Sequence, residues 1–237
     1  MLSILYLTIN TWLSSCNSNR YFATPDYFTK QPGVLILKNG EKISGNISVN
    51  NLIGSTVTIW RYPNGGKQVY SVKEVASCEL NIGVFQPVSI VRDFPKLSSR
   101  LTFMERLTPD SFSICLYEAY ERVSDPNMIG DVTLQGGVEY DLEYFVHLPT
   151  DDSNIVRQIS TPVLAIPLSN GLDSLFRKCP VLYGKFNARD PDYDISFTPQ
   201  IPITEKVIVG RLSTKAKEEK VKKIIKIFAE FEQCVRQ

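Results

Sequence analysis

The sequence predicts a strand-rich α+β protein, with antiparallel sheets, a small-barrel-like hairpin region near the N-terminus and helices at the C-terminus. Three observations carry that expectation. Short runs rich in β-branched residues follow one another from residue 33 to residue 80, separated by glycine-bearing turns. Aromatic and β-branched runs continue to residue 159 without a sustained helical period. Near the C-terminus apolar residues recur at helical spacing, at Val221, Ile224, Ile225, Phe228, Phe231 and Val235, with Lys and Glu between them.

In chain order, residues 17–32 are polar, contain Pro25 and Pro32, and read as a linker. Residues 33–38 and 41–49 flank Asn39-Gly40, a dipeptide that suits the left-handed backbone of a tight hairpin. Residues 55–62 alternate β-branched and polar side chains, and Pro63-Asn64-Gly65-Gly66 is a second turn. Residues 67–80 hold one strand and a shorter one. Strand-like runs follow at 88–94, 100–107 and 111–122, the last with a centre, 113–120, that fits strand or helix. Residues 138–148 are aromatic-rich and strand-like, and 149–154 turn the chain back toward 155–159. Residues 161–168 suit an edge strand, since Pro162 and Pro167 have no N–H for a ladder. Asn170 or Asp173 caps a helix over 174–178, which Pro180 interrupts or restarts through Phe186. A long loop, 187–202, leads to a terminal helix that starts at Ser213 or Thr214.

Composition sets bounds on function. Twenty-six basic and 25 acidic residues leave a net charge of +1, so no global field steers the chain onto nucleic acid. Hydrophobic residues at 43% and charged residues at 22% describe a folded chain and not a disordered one. No apolar run reaches the roughly 18 residues that a spanning helix needs. The single histidine, His147, excludes a multi-histidine metal site and a pair of catalytic histidines. There is no Gly-x-Ser-x-Gly elbow, P-loop or dinucleotide fingerprint, and no cofactor is expected.

The first 16 residues are an uncharged apolar stretch of signal-peptide length that ends in small residues. Leu13-Ser14-Ser15-Cys16 resembles the lipobox of bacterial lipoproteins: an aliphatic residue, two small ones, then the cysteine. The resemblance implies that the Cys16 thiol is lipidated and that cleavage before it makes it the first mature residue. Residues 1–15 are then a signal peptide, 16–32 a lipidated tether, 33–82 a small β domain and 83–237 an α+β domain. A lipid anchor holds such a protein on a bilayer without a spanning segment, in a bacterial envelope, at the outer membrane and facing the periplasm.

Cys16 aside, Cys78, Cys115, Cys179 and Cys234 remain, an even number suited to an oxidising compartment. Their spacing has no CxxC and no zinc-ligand pattern, and no metal is expected. Cys78 and Cys115 fall in strand-like runs and read as core. Cys179 and Cys234 each lie beside a C-terminal helix and are the expected disulfide.

Residues 37–47 are similar to the opening hairpin of SH3-like and Sm-like small barrels, which bears on shape and not on ligand. A broader resemblance, to uncharacterised envelope lipoproteins of the Bacteroidota type, rests on the hairpin at 33–41, Phe-Met-Glu-Arg-Leu at 103–107, Leu-Tyr at 116–117 with Tyr-Phe-Val at 144–146, Phe-Arg-Lys-Cys-Pro-Val-Leu at 176–182, and a helix ending near Cys234. It implies location and architecture, and it transfers no catalytic residue.

Three groups of residues offer chemistry, each with a plainer role beside it. His147 is a base only if a nucleophile and an orienting carboxylate lie in reach, and a surface or half-buried residue otherwise. Asp190, Asp192 and Asp194 alternate as calcium ligands can, but the sixth and twelfth positions from Asp190 are Ile195 and Ile201, so the EF-hand pattern fails and a solvated turn is expected. The lysine run at 215–226 suits an anionic lipid surface, or the wet side of a helix packed on a sheet. The sequence therefore points to a lipid-anchored binding or structural module, with an envelope hydrolase or a cytoplasmic small-barrel module as competing classes.

Overall fold

A computed structural model of the chain describes residues 22–25, 28–51, 55–63, 65–90, 101–123, 139–152, 154–159, 171–188, 190–193, 195 and 214–237. Among the described residues eleven strands form one continuous sheet, the first of them β1 (Phe22–Ala23) and the next five β2 (Gln31–Leu37), β3 (Lys42–Asn50), β4 (Thr56–Arg61), β5 (Lys67–Ser71) and β6 (Val75–Leu80). Strands β2 to β6 lie in the order β6-β2-β3-β4-β5 and are antiparallel throughout.

Tight turns set their registers. At Asn39-Gly40 the Leu37 and Glu41 backbones bond, the Gly40 amide donates back to Leu37, and Gly40 takes φ +88°. The turn after β5 reaches both flanks of this unit: the Val72 amide donates to Ser55 before β4, and the Glu74 carbonyl accepts from Lys38 after β2. Alternate side chains turn inward, among them Leu35, Ile43, Ile47, Val57, Ile59, Val75 and Cys78, and form one core.

The sheet runs straight on through the Asn81-Ile82 turn, where Leu80 pairs Gly83, into β7 (Gly83–Ile90). Then come β8 (Leu101–Arg106), β9 (Cys115–Val123), β10 (Glu139–His147) and β11 (Ile155–Gln158). Each of these pairs antiparallel with the next, and β11 returns to β7 as a parallel neighbour through Ile155↔Ser89 and Val156↔Ile90. This corrects the expectation of antiparallel pairing alone. Successive reversals leave the fifth strand of a meander running with the first, so a five-strand circuit closes only through a parallel pair. Val88, Met104, Cys115, Tyr117, Ala119, Phe145 and Val156 fill its interior.

The opposite face of β9 and β10 carries Leu116, Tyr144 and Val146, with Ile114 just before β9 beside them, and the helices cover it. These are α1 (171–176), α2 (Pro180–Asn187) and α3 (Thr214–Val235). The expected first helix, over 174–178, is displaced: Asp173 lies inside α1, and its carboxylate accepts from Arg177 one turn on. Pro180 restarts the chain at the first position of α2, where its missing N–H costs nothing. Val221, Ile224, Ile227, Phe228 and Phe231 bury the inner side of α3, with Ile227 taking the place expected for Val235, which is 41% exposed.

Other expectations need correction. The polar segment 17–32 is not wholly a tether, because Phe22 and Ala23 pair with Glu121 and Tyr120 of β9 and Gln31 already belongs to β2. The reason is Phe28, a buried ring set edge-on to Phe85 and Tyr120 at 6.2 and 5.4 Å between centroids. The strand expected at 88–94 begins at Gly83, and β7's change of partner from β6 to β11 falls around Pro87, whose nitrogen has no hydrogen to donate. Residues 115–120, open between strand and helix in the sequence, are strand. The edge strand expected at 161–168 lies outside the described residues.

Candidate functional site

Cys16 lies outside the described residues. The chain enters the sheet at Phe22, six positions after Cys16, a stretch that spans about 20 Å when fully extended.

His147 closes β10 opposite Cys115, and its Nδ1 lies 2.8 Å from the Ile155 carbonyl oxygen, to which it donates. The ring thus ties the end of β10 to the start of β11. The nearby Asp151 carboxylate is engaged elsewhere, in a bidentate pair with Arg157 at 2.6 Å.

The acidic loop docks on α3. Asp190 accepts from the Asp192 amide at 3.0 Å, and Asp192 pairs with Lys223 at 2.9 Å, which lowers the Asp192 carboxyl below its ordinary range. Between them Tyr193 is buried, donates to Glu230 at 2.8 Å and accepts from Lys185 at 2.6 Å. Asp194 lies outside the described residues. Among the described residues no group of His, Cys, Asp and Glu is arranged to hold a metal ion.

The lysines of the terminal run divide by position. Lys222, Lys223 and Lys226 are exposed, whereas Lys217 is only 6% exposed and its ammonium donates to the Leu142 carbonyl at 2.7 Å. No helix among the described residues is long and apolar enough to cross a membrane.

Cys179 and Cys234 are joined as a disulfide with their Cα atoms 6.0 Å apart. The bond ties the residue before α2 to the last turn of α3. Cys78 and Cys115 are free thiols; burial pushes Cys78 up to about 12 and also raises Cys115, against the lowering effect of Arg106. Neither is a ready thiolate at neutral pH.

Two arrangements escape the sequence reading. On the outer face of β3 and β4, Trp60 lies under the Lys30 ammonium at 5.3 Å, and Tyr62, 56% exposed, donates to Asn46 at 2.6 Å. Rings flanked by amide and ammonium groups can both stack on and hydrogen-bond to a ligand laid across the sheet. The Trp60 alternation was visible in sequence, but its pairing with Lys30 depends on β2 folding back beside β3. Glu105 and Glu118 are the second: they face each other across β8 and β9, a relation that only the register reveals.

No protein family, curated protein or solved structure matches the chain.

Proposed function

We propose that this is a lipid-anchored protein of the bacterial cell envelope, held at the outer membrane on its periplasmic side, and that it acts as a binding or structural module. The observation that carries the reading is Leu13-Ser14-Ser15-Cys16 at the end of an uncharged apolar N-terminus. The short path from Cys16 to β1 supports it, because a sheet that begins six residues after the anchor is kept at the bilayer surface. The disulfide between Cys179 and Cys234 suits an oxidising compartment.

A binding or structural role is favoured over a hydrolase because the groups that might do chemistry already serve the fold. His147 holds Ile155, Asp151 holds Arg157, and Asp192 holds Lys223. The test is the intact mass of the native protein and of Cys16→Ala. The reading expects cleavage before Cys16 with added acyl mass in the wild type, and an unprocessed, unlipidated precursor in the variant. Identical maturation of the two proteins overturns it.

A further inference from the structure

We propose that Glu105 and Glu118 form a proton-operated clasp at the rung where β9 passes from one neighbour to another, closed while the pair holds a proton and loosened when both carboxylates are ionised.

The geometry is set by three pairings. Glu105 and Glu118 are direct cross-strand partners, so their side chains leave the sheet on the same face and side by side. The β8–β9 ladder at this point is short: Glu105↔Glu118, Arg106↔Tyr117, and one further bond from the Leu107 amide to Leu116 at 2.8 Å. Two residues further along β9 the partner becomes β1, through Ala23↔Tyr120 and Phe22↔Glu121. The carboxyl pair thus sits on the last rung that closes the five-strand circuit and next to the first rung that docks the N-terminal strand.

The surroundings make ionisation of both groups costly. Glu105 lies so close over Gly83 of β7 that a methyl group on that glycine would collide with its carboxylate. Glu218 of α3 adds a third negative charge beside Glu118, while the Tyr144 hydroxyl of β10 and the Tyr120 hydroxyl of β9 work the other way and favour its ionised form. Two cations on these elements have bonds elsewhere. Arg106, on the opposite face of β8, binds Asp110 and the Pro109 carbonyl, and Lys217 of α3 binds the Leu142 carbonyl.

Burial first, and then the charge of Glu118, pushes the Glu105 carboxyl up to about 7. Burial likewise raises Glu118, against the pull of the Tyr144 and Tyr120 hydroxyls and with a further push from Glu218. The sign follows from linkage. Glu105 is raised in the fold from 4.5, so the stability it contributes is fully present below that value and is lost as pH rises through about 7. A lipid-anchored chain, on the reading above, would have its anchor-side strand gripped in acid and eased near neutrality.

Amide exchange of residues 22–23 and 105–107, corrected for intrinsic base catalysis, tests the clasp on the full chain with or without its anchor. Protection is expected to fall by at least about tenfold between about pH 5 and about pH 8. Glu105→Gln, which keeps shape and removes the group that titrates near 7, should hold protection nearly level across that range, and Glu118→Gln, which removes only the lesser cause, should shrink the loss without abolishing it. Direct carboxyl titration of Glu105 in the wild type needs no variant, and its midpoint should lie near 7. A Glu105 midpoint near 4.5, or an undiminished loss of protection in both glutamine variants, overturns the clasp and leaves the lipoprotein reading untouched.

Discussion

Strands β2 to β6 and the segment from β7 to α3 both close a curved sheet over an apolar core, but with contacts of very different range. In the first, neighbours in sequence are mostly neighbours in space, and the turns at Asn39-Gly40 and 72–74 fix the registers. In the second, closure depends on residues far apart. Glu232 of α3 accepts from the Ser113 and Ile114 amides and the Ser113 hydroxyl, Lys217 reaches Leu142, and Cys179 is bonded to Cys234 across 55 positions. Local closure costs little chain entropy, whereas distant closure must be held by several fastenings at once. The two regions meet in β8, where Phe103 enters the core of the first and Met104 the interior of the second. Asn51 secures that junction, its amide bonding both to the Phe103 carbonyl at 2.8 Å and to the Phe103 amide at 3.0 Å.

The largest effect should come from the helix core. Phe228 is fully buried against β9, β10 and the shorter helices, so Phe228→Ala should cost about 3–5 kcal/mol. Ile59→Ala, at an equally buried place in the first region, should cost about 2–5 kcal/mol. Denaturant unfolding, read by Trp60 fluorescence in a Trp12→Phe background and by helical circular dichroism, separates the regions. Phe228→Ala should move the helical signal to lower denaturant more than the fluorescence. Coincident shifts would mean that β8 makes the two regions one cooperative unit.

Removing the disulfide should come next. Cys234→Ser opens a loop of 55 positions, and chain entropy gives up to about 4 kcal/mol for a loop of that size. The loss should be confined to the helical transition, and reductant should reproduce it in the wild type but not in the variant. Glu232→Gln should follow at about 1.5–3 kcal/mol, since the buried carboxylate accepts several bonds that an amide meets only in part. Faster amide exchange at Ser113 and Ile114 is its signature, and unchanged exchange there would remove Glu232 from the list of fastenings.

This contrast also explains what could be read from the sequence. The strands of the first region were legible because alternation and turn residues act within about ten positions. The apolar stripe of α3 was legible for the same reason, apart from the exchange of Val235 for Ile227. Phe28 was missed because one Tyr27-Phe28 pair between prolines carries no period, and the partners of Phe28, Phe85 and Tyr120, are distant. The parallel β7–β11 pair and the Glu105–Glu118 opposition follow from register and closure, which no local window contains. The residues that drew attention as chemistry, His147 and the acidic loop, were visible by type, but their roles as struts depend on tertiary partners.

The smallest effect tests whether the first region really is governed by its turns. Gly40 has φ +88°, and a methyl group there would meet no atom within 4 Å, so Gly40→Ala isolates backbone preference from steric conflict. The left-handed conformation disfavours a side chain by about 1–2 kcal/mol, and the Trp60 transition should shift by that amount. Gly66 supplies the internal control: it also has open space, but its φ is not in the positive range. Gly66→Ala restricts the unfolded chain without straining the fold, so it should leave stability unchanged or raise it by about 0.4–1 kcal/mol. Opposite signs at two open glycines of one sheet would assign the register to the Asn39-Gly40 turn. Equal effects at both would show that the alternating apolar core sets the register, with the turn following.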